Sequence, residues 1–184
     1  MPIAVTLCLD PVSSGDVTAL CRLLAEKRIT DYAERLGYRP HVTLLRYDDL
    51  PTDAALRVLT RFAAEVSRLA VKLEDVALFS GPAPVLWIAP ASNPALLALQ
   101  GRLHDALMPH VPAPNYQPKT WQPHLTLAEG LTPESAADAL LVVKSAFAPM
   151  DGWFDRLELV RFPPVGVIWS RSLQNSPVPK IRSP

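Results

Sequence analysis

The chain has 184 residues, of which 49% are hydrophobic and 20% charged, with 18 basic and 18 acidic side chains. That length supports one core-bearing domain or two small ones. The zero net charge excludes the basic excess with which proteins grip long polyanions, and no apolar run approaches the ~20 residues of a bilayer span. The opening MPIAVTLCLD lacks the basic head and small-residue cleavage site of an export signal, so a cytoplasmic protein off the membrane is expected. Residues 3–9, β-branched and apolar, predict a buried strand. Ser13 predicts the cap of a helix running to about Lys27, with Leu20, Leu23 and Leu24 on one face. Cys8 falls in the strand and Cys21 in the helix; no metal-ligand spacing links them, which predicts free thiols in a reducing compartment. PHVTL opens a strand over about 41–47. Leu56, Leu59, Phe62 and Val66 predict a helix over roughly 53–67. Strands follow at 71–79 and 85–89, separated by the turn SGPAP. Asn93 caps, and Pro94 begins, a helix striped by Leu96, Leu99, Leu103 and Leu107. A proline-rich loop leads to a strand at 124–128, and Thr132-Pro133-Glu134 starts a helix reaching about Phe147. FDRLELVRF and VIWSRSL predict the last two strands around the turn PPVG. The tail from 174, QNSPVPKIRSP, has few apolar anchors and is expected to be loose.

PHVTL at Pro40 and PHLTL at Pro123 are parts of a longer repeat. Phe79 and Phe162 each lie 38 residues after their histidine, and Leu20 and Leu103 each lie 21 before it. Trp87 and Trp169 follow at 46 and 45 residues. The pattern predicts a duplicated, bilobal α+β fold: two similar lobes of antiparallel-rich sheet with outer helices and a central cleft. The pseudo-repeats cover roughly 3–90 and 85–173 within a single domain.

In a strand, residues i and i+2 share a face. His41 and Thr43 therefore point together, opposite Val42 and Leu44; His124 and Thr126 do the same, opposite Leu125 and Leu127. Two such faces across one cleft suit a phosphodiester. A neutral histidine can take a proton from water and a protonated one can give a proton to the departing ribose oxygen. The threonine hydroxyls can donate to the non-bridging oxygens, where charge must be stabilised. The arrangement requires no metal and no cofactor, and it leaves open which histidine is acid and which is base.

RPHVTLL and QPHLTLA, in a duplicated chain of this length, resemble the 2H phosphoesterase superfamily, and within it the 2′-5′ RNA ligase-like or RNA 2′,3′-cyclic phosphodiesterase branch. FSGPAPVLWIAP is similar to that family's core hairpin, and the resemblance runs from residue 3 to about 173. It implies metal-independent hydrolysis of cyclic or 2′-5′ phosphodiesters, a 2′-phosphate product, and in some members the joining of RNA ends. It also implies that His41 and His124 are catalytic and that Thr43 and Thr126 bind phosphate. The expected partner is a small nucleotide or RNA 3′-end, acted on by a monomer. The rival readings are a nucleotide- or RNA-end-binding module with little turnover, an RNA-joining enzyme, and a purely structural domain.

Further candidates flank the motifs. Tyr116, Lys119 and Trp121 precede the second motif on a long loop, where an aromatic ring can stack on a base; packing is the alternative for Trp121. Tyr38 and Arg39 hold the same place before the first motif. Arg46 and Arg161 are candidates to counter phosphate charge. Phe79 is expected to pack, with one face available to the cleft, while Trp87 and Trp169 belong to the core. His104 and His110 are expected to be incidental.

Overall fold

The first strand, β1 (Ile3–Leu9), is buried along its whole length, as befits a central strand with neighbours on both edges. Its neighbours are β2 (His41–Tyr47) and β6 (Met150–Arg161), both antiparallel. Val5, Leu7 and Leu9 feed the core, while the smaller Ala4 and Thr6, on the alternate face, floor a cleft. Three more strands, β3 (Leu69–Phe79), β4 (Val85–Pro90) and β5 (Leu125–Ala128), and a final β7 (Gly166–Ser172) complete a sheet ordered β1-β2-β5-β4-β3-β6-β7. Because β1 also pairs with β6, the sheet closes on itself. The orders β2-β1-β6 and β5-β4-β3 match, and each set mixes strands from both halves of the sequence. The long β6 ties the sets together, pairing with β3 from Met150 to Phe154 and with β1 from Phe154 to Arg161. This computed structural model describes residues 1–175.

Helices cover the sheet in pairs that also cross the halves. Helix α1 (Pro11–Glu26) packs on α5 (Pro133–Ala146), and α5 lies against β3 and β4. Helix α3 (Thr52–Ala64) packs on α4 (Pro94–Ala106), with α3 against β7 and α4 against β2. The caps at Asn93 and Thr132 form as their sequences predict, each side chain accepting a backbone N–H of the first turn. Among the described residues no helix is long and apolar enough to cross a membrane.

Several boundaries differ from the sequence reading. Helix α1 is capped by Asp10 instead of Ser13: the carboxylate accepts the backbone N–H groups of Val12 and Ser13 at 3.0 and 3.2 Å. Ser13 is buried and donates its hydroxyl to Asp10 at 2.7 Å. Strand β6 starts four residues before the predicted 154, because the added segment is held by pairing with β3 and not by a local pattern. Helix α3 stops at Ala64, short of 67, where the chain turns into a bridge between Ser67 and Gln174. There the Arg68 N–H donates to the Gln174 carbonyl at 2.7 Å. Gln174, expected to begin a loose tail, is thus held in place; the part of that expectation covering 176–184 lies outside the described residues. A fifth helix, the five-residue α2 (Tyr32–Leu36), was not foreseen. It ends at Gly37, whose φ of 60° is the left-handed conformation that glycine supplies most cheaply.

Asp10 also accepts the Trp153 N–H at 2.9 Å, so one carboxylate caps α1 and pins it to β6. Burial alone raises its pKa, but the bonds from Ser13, Trp153 and Val12 outweigh that and hold it below the usual aspartate value. Its contribution is therefore complete above the ordinary aspartate range and is lost as pH falls through the depressed folded value. Asp10→Ala is expected to cost about 1–2 kcal/mol at neutral pH, read from urea unfolding midpoints. The gap to wild type should narrow in acid.

Candidate active site

Strands β2 and β5 touch through one register pair, Val42 opposite Leu125. Each is the residue that follows a motif histidine, and both side chains are fully buried. Continuing the antiparallel register by one residue each way sets His41 opposite Thr126 and Thr43 opposite His124. Residues directly opposite share a face. All four polar side chains therefore point away from the core, and all four line one cleft of about 590 Å³. Diagonal neighbours of this kind have backbones about 7–8 Å apart, a span that leaves room for one phosphorus between two imidazoles.

Each motif strand then carries a β-bulge at the same point. Between Val5 and Thr6 of β1 the partner register skips Leu44. Between Leu86 and Trp87 of β4 it skips Leu127. Both skipped residues stand three after their histidine. A bulge reverses the alternation beyond it, so the residue five after each histidine joins the histidine face instead of the core. Those residues are Arg46 and Glu129, and both line the cleft.

The two rings are oriented alike. Nδ1 of His41 lies 2.8 Å from the Arg39 carbonyl, and Nδ1 of His124 lies 2.8 Å from the Gln122 carbonyl. A carbonyl only accepts, so each Nδ1 carries the proton and each Nε2 is left for chemistry. Burial pushes both pKa values below the ordinary histidine value, against the contrary pull of the carbonyl bonds. The charge of His124 lowers His41 further, while the carboxylate of Glu158 raises it.

The surroundings of the rings differ. The Tyr38 ring lies 4.7 Å from that of His41. Its hydroxyl donates to Glu158 at 2.6 Å and meets the Thr6 hydroxyl at 2.7 Å. Glu158 is only 2% exposed, and its other oxygen accepts the Ser170 hydroxyl at 2.8 Å. His124 instead meets rings edge-on: Phe79 at 5.0 Å and Trp87 at 6.0 Å, which stack on each other. Trp87 is buried, as expected.

Of the flanking candidates, Tyr38, Arg46 and Tyr116 line the cleft with the motif residues. Arg46 pairs with Asp48 at 3.0 Å and sits 5.7 Å over the Phe162 ring. Arg39 has an exposed side chain beside an adjoining pocket, and its carbonyl holds His41. The other four do not line the cleft. Phe79 supports His124 from behind. Lys119 is exposed on its loop. Trp121 is buried, with its indole N–H donated to the Thr43 carbonyl at 2.9 Å, so it braces β2 where base stacking had been considered. Arg161 lies over the glycine at 166, opposite it in the β6–β7 hairpin. His104 bonds Gln117 and Asp105 away from the cleft. The sequence reading missed Thr6, Tyr32, Glu129 and Glu158. Only Glu129 had a signal, its offset of five from His124 matching that of Arg46 from His41.

A family model of the 2′-5′ RNA ligase superfamily matches residues 25–163. The chain belongs to this superfamily. No curated protein matches the sequence significantly. The superfamily fold is shared with solved structures. TT0787 of Thermus thermophilus superposes with a TM-score of 0.66 at 18% identity, covering 95% of this chain and 99% of that one. E. coli LigT, solved with 3′-AMP, gives 0.58 at 13% identity, covering 94% and 99%. A crystal structure described as a phosphoesterase gives 0.57 at 13% identity, covering 94% and 98%. In this 2H phosphoesterase chain, both motif histidines and both motif threonines reach the same cleft.

Glu158→Gln keeps an acceptor for Tyr38 and removes the charge. The His41 titration, followed by NMR of its ring protons, should move to lower pH in this variant, and that of His124 should move less.

Proposed function

We propose that the chain is a metal-independent phosphodiesterase that hydrolyses a 2′,3′-cyclic phosphate, or a related 2′-5′ nucleotide phosphodiester, to a phosphomonoester. The observation that carries this reading is the Val42–Leu125 register, which brings two identically oriented histidines and two threonines to one cleft. In the proposed step the neutral histidine takes a proton through Nε2 as the water oxygen bonds to phosphorus. The opposite P–O bond breaks, and the other histidine gives its proton to the departing ribose oxygen. The pair ends with its protonation exchanged, and proton exchange with solvent resets it. Thr43 and Thr126 donate to the non-bridging oxygens, where hydrogen bonds strengthen as charge builds.

The cleft volume is that of a small-ligand site, which fits a nucleotide or an RNA terminus better than a long strand. Structures of E. coli LigT with 3′-AMP and with phosphate support the same substrate class. All the proposed groups come from one chain, so a monomer suffices. The proposal leaves open which of His41 and His124 is the acid and which the base. Run in reverse, the same site would join ends, and the product distribution at equilibrium separates the two directions.

His41→Ala and His124→Ala should each lower kcat/KM on 2′,3′-cyclic nucleotides by about 10²–10⁴, and EDTA should leave the wild-type rate unchanged. Activity needs one histidine neutral and one protonated. Both are shifted down, so the bell-shaped profile of kcat/KM should centre on the acid side of about pH 6.5. Full activity in either alanine variant would refute the proposal.

A further inference from the structure

The paired bulges bring opposite charges into one cleft. Arg46 and Glu129 occupy equivalent places after the two histidines, yet their situations differ. Arg46 already has Asp48. The Glu129 side chain is exposed and lines the cleft beside Tyr32 and Tyr116, and its carboxylate has no hydrogen-bond or ion-pair partner among the described residues. Burial raises the pKa of both phenols and the Glu129 charge raises them further, with Arg46 opposing at Tyr116. Desolvation in the cleft pushes the pKa of Glu129 up as well. Tyr116 thus feels both charges.

An open carboxylate in a cleft for a phosphodiester repels the phosphate. It must face a neutral part of the substrate that donates hydrogen bonds. Its two oxygens fit two parallel N–H groups. Only guanine among the four RNA bases offers that pair on its Watson–Crick edge, as N1–H beside the N2 amino group. Adenine and cytosine place an acceptor next to their amino group, and uracil has one N–H between two carbonyls. Enzymes that hold a single base read that edge by such bonds.

We infer that Glu129 is a specificity-determining residue that accepts the N1–H and N2–H of a guanine base, making a guanosine-bearing 2′,3′-cyclic phosphate the preferred substrate. The inference rests on the proposed placement of phosphate at the histidines.

The test is kcat/KM for the four 2′,3′-cyclic mononucleotides at pH 8, where the carboxylate is ionised, with wild type, Glu129→Gln and Glu129→Ala. Calorimetric Kd values for the four nucleoside 2′-monophosphates are measured in parallel. Wild type should favour guanosine over adenosine roughly 10-fold or more, and in both variants that ratio should fall to about one. No guanosine preference in either readout, or the same preference in the variants, overturns the inference. Guanosine-selective binding that depends on Glu129, with no hydrolysis of any nucleotide, upholds it and refutes the hydrolytic reading instead.

Discussion

The site depends on a single backbone contact between β2 and β5. Val42 and Leu125 are fully buried and opposite each other, and that burial fixes register. Side chains alternate with period two, so a slip of one residue would turn a histidine and a threonine into the core and expose two apolar residues. The contact is short because both strands bulge just beyond it and part company. The parting opens the cleft. Trp121 braces the opened edge by bonding the Thr43 carbonyl, and the Pro40 carbonyl accepts the Leu9 N–H at 3.1 Å just before His41. The polar side chains can then face a cavity while the backbone behind them stays paired.

From nearly identical motifs the fold builds two unlike surroundings. His41 sits against a phenol tied to a buried carboxylate, and His124 against stacked aromatic rings. A buried carboxylate is tolerated only where donors satisfy it, and Tyr38 and Ser170 do so for Glu158. The same divergence recurs five residues on, where one half offers a cation and the other an anion. A pseudo-symmetric frame therefore holds an asymmetric site, which suits the proposed substrate with a phosphate at one end and a base at the other.

Much of this was legible in the sequence, for definite reasons. Strand alternation placed His41 with Thr43 and His124 with Thr126, and the repeat implied that the two faces meet. The caps at Asn93 and Thr132 were legible because they are local. What escaped depends on partners distant in sequence. The first half of β6 is a strand because β3 pairs with it, and Asp10 outcompetes Ser13 as a cap because Trp153 also needs an acceptor. Alternation alone would have sent Arg46 and Glu129 away from their histidines; the extra residues at Leu44 and Leu127 reverse that, and nothing local in LTLL or LTLA marks a bulge. For Trp121 the sequence offered base stacking or packing because its loop adjoins the motif; packing holds, and the partner that decides it is the distant carbonyl of Thr43.

The central claim is that two Nε2 atoms converge on one phosphorus from opposite sides. It is tested most directly by a crystal structure with a nucleoside 2′,3′-cyclic vanadate, which presents five oxygens as the transferring phosphoryl group does. The account expects His41 and His124 Nε2 on the two apical oxygens at hydrogen-bond distance, with Thr43 and Thr126 hydroxyls on equatorial ones. Vanadate touching one histidine alone, or seated away from both, would contradict it.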